Sequence, residues 1–284
     1  MKFDKNLAAI HGYLCSDGYV IRNPNSQKHK YYYIGLRNTT DVLLKDFQKK
    51  FEIVFGLKPI ITNEGRCKIQ NKEIYNLLTK DFSYYSYEWK LPELSKENLR
   101  YWLRTFFDCE GWVENRNYSR LVRLESCNEK GILDIQKVLL KFNISSSVKK
   151  RTNRTMWRLT ICGIGNLQRF QKKVGFLHSE KSAKLLSAIE SYKGYIWSIP
   201  TNKEDLFSFV KQNGKVIMYR NQIRFSSIRR KNLMELRKAL NKHGITSNLF
   251  GPWLSSIGSG YYCLIIKKNM GVFDGTDKWN VERS

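Results

Sequence analysis

Apolar residues recur at helical spacing in two segments that can be laid over one another. Residues 122–146 and 223–247 align without a gap. Each opens on a short alternation of apolar and polar positions, the period of a half-buried strand. Each continues with apolar residues on one helix face: Ile132, Leu133, Ile135 and Leu139 in the first, Leu233, Met234, Leu236 and Leu240 in the second. A looser copy precedes both, with a strand over 31–36 and a helix over 42–55. The three helices stop alike, at Phe55-Gly56-Leu57, Phe142-Asn143-Ile144 and His243-Gly244-Ile245. Gly and Asn tolerate the left-handed conformation that ends a helix, and the next apolar residue packs back on the last turn. A hairpin pattern follows each stop. The first turns at Asn63-Glu64-Gly65 between 58–62 and 66–70. The second turns near Asn153-Arg154 between 147–151 and 156–162. The third passes a Gly/Ser loop between 247–253 and 261–267. Three equal units of strand, helix and hairpin are expected, with a further Arg-containing strand over 219–225.

The first two units carry something the third lacks. A helix precedes each and ends in an acid followed by glycine. One runs to Asp17-Gly18 with Asp4 as its N-cap, the other to Glu110-Gly111 with Ser95 and Asn98 as candidate caps. Ala8, Gly12 and Ser16 fall at steps of four, and Thr105 and Cys109 take the places of Gly12 and Ser16 in the second helix. Small residues on such a stripe let two helix backbones approach closely. If the helices pack parallel, Asp17 and Glu110 meet at one point. Two facing carboxylates repel and resist ionisation, and a divalent cation relieves that. The last-turn carbonyls of Ser16 and Cys109 add oxygen ligands at the negative ends of two helix dipoles. Oxygen donors and a phosphate partner suit Mg²⁺, with Mn²⁺ or Ca²⁺ as substitutes. Such a site activates water for phosphodiester hydrolysis.

Charge then narrows the partner. Lys and Arg number 50 against 25 Asp and Glu, a net +25, in a chain of 284 residues that is 42% hydrophobic. Self-repulsion of that size needs a polyanion to explain it. No run approaches ~20 apolar residues and no Lys/Arg-rich amphipathic helix stands out, so a membrane partner is not expected. The N-terminus lacks an apolar signal region, so an intracellular location is expected, in cytoplasm, nucleoid or organelle matrix. The six cysteines form no Cys-x-x-Cys pair and the four histidines are scattered, which argues against zinc. The expected strands interleave cations with aromatics. Lys28, Lys30, Tyr31, Tyr33, Arg37, Arg66 and Lys68 lie in the first unit. Arg116, Arg120, Arg123, Lys149, Lys150, Arg151, Arg154 and Arg158 lie in the second, and Arg224, Arg229 and Arg230 in the third. Alternation sets every second strand residue on one sheet face, where it can track phosphates and reach base edges.

The segments Trp102-Leu-Arg-Thr-Phe-Phe-Asp-Cys-Glu-Gly111 and Gly12-Tyr-Leu-Cys-Ser-Asp-Gly18 resemble the duplicated motif of LAGLIDADG homing endonucleases in their single-chain, two-repeat form. The resemblance spans roughly residues 1–190 and departs at His11 and at Thr105, where the family usually has Gly. It implies an α+β fold: two pseudo-symmetric αββαββα halves, at 1–92 and 93–194, whose sheets form a DNA-binding saddle. Residues 195–284 are then an accessory DNA-binding module resembling a half-repeat without the motif helix. Its boundary rests on the 192–201 stretch, with Gly194 and Pro200. The resemblance further implies catalytic acids at Asp17 and Glu110, Mg²⁺ between them, and a basic residue assisting at the scissile phosphates, placed at Lys68. The expected activity is a staggered double-strand cut in a long pseudo-symmetric DNA target by a monomer. An intron RNA maturase or a non-cleaving DNA-binding protein on the same fold is the alternative. Tyr33-Ile34-Gly35 is similar to half of a GIY-YIG signature, but no Gly-Ile-Tyr precedes it. The chain opens on Met and does not close on His-Asn as an intein does, so a free-standing, intron-borne protein is expected.

Overall fold

The repeats fold into three four-stranded antiparallel sheets of one plan. The computed structural model describes residues 2–116, 119–152, 154–192, 196–254 and 260–267. The first half runs α1 (Lys5–Leu14), β1 (Gly18–Arg22), β2 (Tyr32–Arg37), α2 (Asp41–Phe55), β3 (Ile60–Thr62), β4 (Arg66–Gln70) and α3 (Lys72–Thr79). The second runs α4 (Lys96–Glu110), β5 (Gly111–Arg116), β6 (Ser119–Ser126), α5 (Glu129–Lys141), β7 (Ser147–Lys150), β8 (Trp157–Cys162), α6 (Ile164–Lys173) and α7 (Ser179–Glu190). The third runs α8 (Lys203–Asn213), β9 (Lys215–Ile217), β10 (Gln222–Ser227), α9 (Arg230–Lys242), β11 (Asn248–Leu254) and β12 (Gly260–Lys267). Strand orders are β1-β2-β4-β3, β5-β6-β8-β7 and β9-β10-β12-β11, so the first two strands of each repeat pair and the last hairpin inserts its second strand beside them. The chain divides into two compact units, residues 1–190 and 191–284. Gly194, where the sequence placed the junction, lies outside the described residues, as does Asn153 in the second hairpin turn.

Each sheet buries one face under its helices. In the first half Ile34, Leu36 and Cys67 point inward against Leu43, Phe47 and Phe51 of α2 and Tyr13 and Leu14 of α1. The helix stops form as the sequence predicts. Gly56 and Gly244 sit at φ +67° and +76° and Asn143 at +59°. The Ile144 and Ile245 amides donate to the carbonyls of Leu139 and Leu240 at 3.0 Å, and both side chains are buried. Leu57 departs from the pattern, 39% exposed beyond Gly56. Two further expectations are corrected. The strand expected over 219–225 begins only at Gln222, because residues 218–220 form a 3₁₀ turn closed by Asn221 at φ +48°. The third repeat also does have a helix in the motif position. It went unrecognised because α8 ends in Asn213-Gly214, with no acid, and carries Glu204 and Gln212 where α1 carries Ala8 and Ser16.

The halves of the first unit join through α1 and α4, which pack parallel. Near their starts Asn98 Nδ2 donates to the Phe3 carbonyl at 2.9 Å. Midway, Thr105 Oγ1 donates across to the Ala9 carbonyl at 3.0 Å. At the far end the Asp17 amide meets the Cys109 sulfur. Gly12 permits this: a Cβ there would lie 2.3 Å from Thr105 Oγ1 and 2.7 Å from the Trp102 carbonyl oxygen. Thr105, which departs from the family pattern, thus becomes a crossing hydrogen bond beside Gly12.

His11 is fully buried in the same interface. Trp102 Nε1 donates to its Nδ1 at 3.0 Å, so the proton sits on Nε2, which has no hydrogen-bond partner and is ringed by Phe3, Phe82 and Tyr84. Burial lowers its pKa from 6.5 to about 3. The unfolded chain therefore binds more protons between these values. The stability from neutral His11 is complete above pH 6.5 and drains as pH falls, at about 1.4 kcal/mol per pH unit. Asp108 and Glu110, raised by burial, titrate oppositely in an overlapping window. The effect is isolated by comparison with His11→Gln, which should be less stable at pH 7. Urea unfolding at pH 5 should find the gap narrower by about 2 kcal/mol; an unchanged gap would mean that His11 is not held neutral.

Candidate active site

The acid pair stands where α1 and α4 end. Asp17 leads straight into β1, and its Oδ2 accepts from Asn38 Nδ2 at 2.7 Å. Its carbonyl accepts the Arg37 amide at 3.1 Å, tying it to the end of β2. Glu110 is the last residue of α4, and Gly111 begins β5. Its pKa is raised from 4.5 to about 7, first by burial and then by the Asp17 charge, so the two carboxylates act on each other. Ser16 spends its hydroxyl on the Gly12 and Tyr13 carbonyls, at 2.9 and 3.0 Å. Burial holds the Cys109 thiol well above its usual pKa, protonated. Both residues therefore offer a cation their backbone carbonyls rather than their side chains. Among the described residues no three His, Cys, Asp or Glu side chains gather as a metal cage. The donor set is two carboxylates plus carbonyls at two helix C-termini, which fits a hard, partly hydrated divalent cation.

Two residues near the pair went unread in the sequence. Asp108 is 1% exposed, and its carboxylate accepts the amides of Leu177 at 3.0 Å and His178 at 3.0 Å. It thereby holds the approach to α7, and burial raises its pKa from 3.8 to about 6. That anchor sets Lys181, in the first turn of α7, over the end of α4. Lys181 Nζ donates to the Asp108 carbonyl and, at 3.3 Å, to that of Cys109. Burial lowers its pKa from the usual lysine value, against the upward pull of Asp108, Asp17 and Glu110. No local pattern marks either residue, because α7 and α4 meet only through the tertiary fold.

The expected nucleic-acid residues divide by place. Tyr33, Arg37, Arg66 and Lys68 share the outer face of the first sheet and, with Tyr19 and Ile21, line a depression of about 450 Å³. Gly35 on this face leaves room for Tyr19, whose hydroxyl would lie 2.6 Å from any Cβ there. This accounts structurally for the Tyr-Ile-Gly triplet. Tyr31 stacks on Tyr33 at 5.8 Å, while Lys28 and Lys30 lie in the loop before β2, with Lys30 bound to the Pro24 and Asn25 carbonyls. On the second sheet Arg123 pairs with Glu114 at 2.6 Å, and Arg151 and Arg158 both pair with Glu125, at 3.0 and 2.6 Å. Lys149 sits beside Arg158 across the β7–β8 pairing, Arg120 is half-buried on β6, and Arg116 and Arg154 are exposed. Arg224 is on the outer face of the third sheet. Arg229 and Arg230 stand instead at the start of α9, with Arg229 donating to the Tyr192 carbonyl at 3.3 Å.

A model described as a LAGLIDADG-like domain matches residues 97–175, from the start of α4 to just past α6. The replication factor C small subunit of Thermococcus kodakarensis is 30% identical over 128 residues, 44% of this chain and 14% of that protein. That of Methanocaldococcus jannaschii is 24% identical over 231 residues, 77% of this chain and 12% of that protein. The ATP-dependent DNA helicase Hel308 of M. jannaschii is 30% identical over 164 residues, 52% and 13%. The chain thus spans about an eighth of the length of these curated relatives. Among solved structures, I-DmoI in complex with DNA and Mn is 12% identical with a TM-score of 0.47, covering 60% of this chain and 96% of that one. Full-length DUF199/WhiA from Thermatoga maritima is 15% identical with a TM-score of 0.47, covering 75% and 68%. Residues 97–175 thus match a LAGLIDADG-like domain, and the helix-to-strand junction within that segment is repeated at Asp17-Gly18.

Proposed function

We propose that this protein is a site-specific DNA endonuclease that hydrolyses phosphodiester bonds with a divalent cation held between Asp17 and Glu110. The observation that carries the reading is the parallel packing of α1 and α4, which delivers one acid from each half to a shared point. A cation of the Mg²⁺ type, when bound there, supplies Lewis acidity to a phosphoryl oxygen and lowers the pKa of water. The protein's own groups do the positioning. Asn38 fixes the Asp17 carboxylate, and the Gly12–Thr105 contact fixes the spacing of the two acids. Arg37, Arg66 and Lys68 offer positive charge to phosphates from the first sheet. On the second sheet Glu114 and Glu125 hold three arginines in place and already offset part of their charge, which suits them to base edges more than to phosphates. Double-stranded DNA with a long, pseudo-symmetric target follows from the repeated halves.

A cleavage screen of the purified protein with Mg²⁺ against a randomised duplex library tests the reading. A staggered double-strand cut at one long sequence supports it. Tight binding without cutting under Mg²⁺ or Mn²⁺ would instead assign a non-cleaving nucleic-acid-binding role. Lys181 gives a further expected outcome. Its ammonium occupies the Cys109 carbonyl that a cation would use, and its charge repels one. Lys181→Met should therefore tighten Mn²⁺ binding, read by calorimetry, on the order of tenfold, equivalent to about 1.4 kcal/mol. Unchanged or weaker binding would make Lys181 a brace for the end of α4.

A further inference from the structure

The outer face of the third sheet differs in chemistry from that of the second. Ile223, Phe225, Leu264 and Ile266 point inward to α8 and α9, so strand alternation and register put Arg224, Phe250, Trp253, Tyr261 and Cys263 on the other side. Phe250 and Trp253 stack at 6.1 Å and 14°, and Tyr261 meets Trp253 edge-on at 5.9 Å. Phe250 is 42% and Trp253 40% exposed, an unusual outlay of aromatic surface. The Arg224 guanidinium lies over the Trp253 ring at 5.7 Å and donates to the Cys263 sulfur at 3.1 and 3.2 Å.

This arginine is held by neutral groups. Where Arg123, Arg151 and Arg158 of the second sheet are paired with carboxylates, Arg224 is fixed by an indole and a thiol and keeps its charge for an outside anion. Among the described residues of this unit the carboxylates are Glu204, Asp205 and Glu235, all on α8 and α9 behind the sheet. A fixed cation beside partly exposed aromatic rings matches a phosphate beside a base. In a duplex the faces of the bases are covered by their neighbours, and only an unpaired base can lie on an aromatic side chain.

We propose that the outer face of β10, β11 and β12 is a binding site for unpaired nucleotides, with bases stacking on Trp253 and Phe250 and a phosphate on Arg224. The site is separate from the acid pair and does not depend on cleavage. It gives a single strand, whether RNA or locally opened DNA, a place to lie on this unit.

Fluorescence anisotropy on the full chain tests this with three labelled probes: dT12, U12 and a random-sequence duplex, each across the same series of salt concentrations. Trp253→Ala should weaken single-strand binding by tenfold or more, and Arg224→Gln should weaken it further and lower its salt dependence. Duplex affinity of the Trp253→Ala protein should stay within twofold. Preference for U12 or for dT12 identifies RNA or DNA as the source of the strand. Phe250→Ala supplies a second exposed position, so that misfolding of one variant does not decide the result. Equal losses on duplex and single strand, or no loss on either, overturn the proposal and leave the patch to a duplex or a protein. Glu110→Gln should leave dT12 and U12 binding unchanged. Failure of the nuclease reading and failure of this one therefore register on different variants.

Discussion

Asp17→Asn and Glu110→Gln should each abolish DNA cleavage, lowering the rate by at least about 10³-fold, or about 4 kcal/mol of transition-state stabilisation. Each change removes one of the two anionic donors at the joint end of α1 and α4, and the carbonyls of Ser16 and Cys109 cannot replace its charge. DNA affinity should hold or rise slightly, because the sheet surfaces are untouched and a basic protein has lost an opposing charge. Folding should not suffer either, since neutralising one of two facing carboxylates removes their repulsion. Single-turnover cleavage, duplex binding and thermal melting on the same preparations separate these effects. Cleavage at near wild-type rate in both variants would remove the acids from the chemistry.

The second large effect is structural. Gly12→Val should destabilise the first unit by about 3 kcal/mol or more, because the new atoms fall on Thr105 Oγ1 and the Trp102 carbonyl oxygen. The first contact is a side chain and the second is backbone, so relief is only partial. Removing the Thr105 hydroxyl in a Gly12→Ala, Thr105→Ala double variant should recover part of the Gly12→Ala loss, and a double-mutant cycle in urea measures how much. Full recovery would mean that the helix backbones are not in close contact at this crossing. Cleavage should fall more steeply than stability in these variants, since a small parting of α1 and α4 also parts Asp17 from Glu110.

What could be read from the chain was whatever repeats or caps locally. The ungapped match of 122–146 with 223–247 became β6 with α5 and β10 with α9. Asp4 and Ser95 cap as expected, accepting from Leu7 and Asn98 amides at 2.8 and 3.2 Å. Asn98 itself turned outward to Phe3, a use that only the paired helix supplies. The small-residue stripe of α1 and α4 was legible because close backbone approach allows few side chains. That same logic hid α8, whose corresponding residues Glu204, Ser208 and Gln212 are exposed and under no such constraint. Alternation told which face a strand arginine occupies but not its neighbour across the sheet. The pairing of Arg123 with Glu114, and of Arg151 and Arg158 with Glu125, depends on register, which no single strand encodes. Lys181 and Asn38 reach the acids from elements distant in the chain, and neither carries a signature of its own.

Anomalous scattering from crystals of the full chain soaked in Mn²⁺ tests the shared site most directly. A peak is expected at the C-terminal ends of α1 and α4, bonded to carboxylate oxygens of both Asp17 and Glu110. Manganese bound only elsewhere on the protein, with these two carboxylates unliganded, would contradict it.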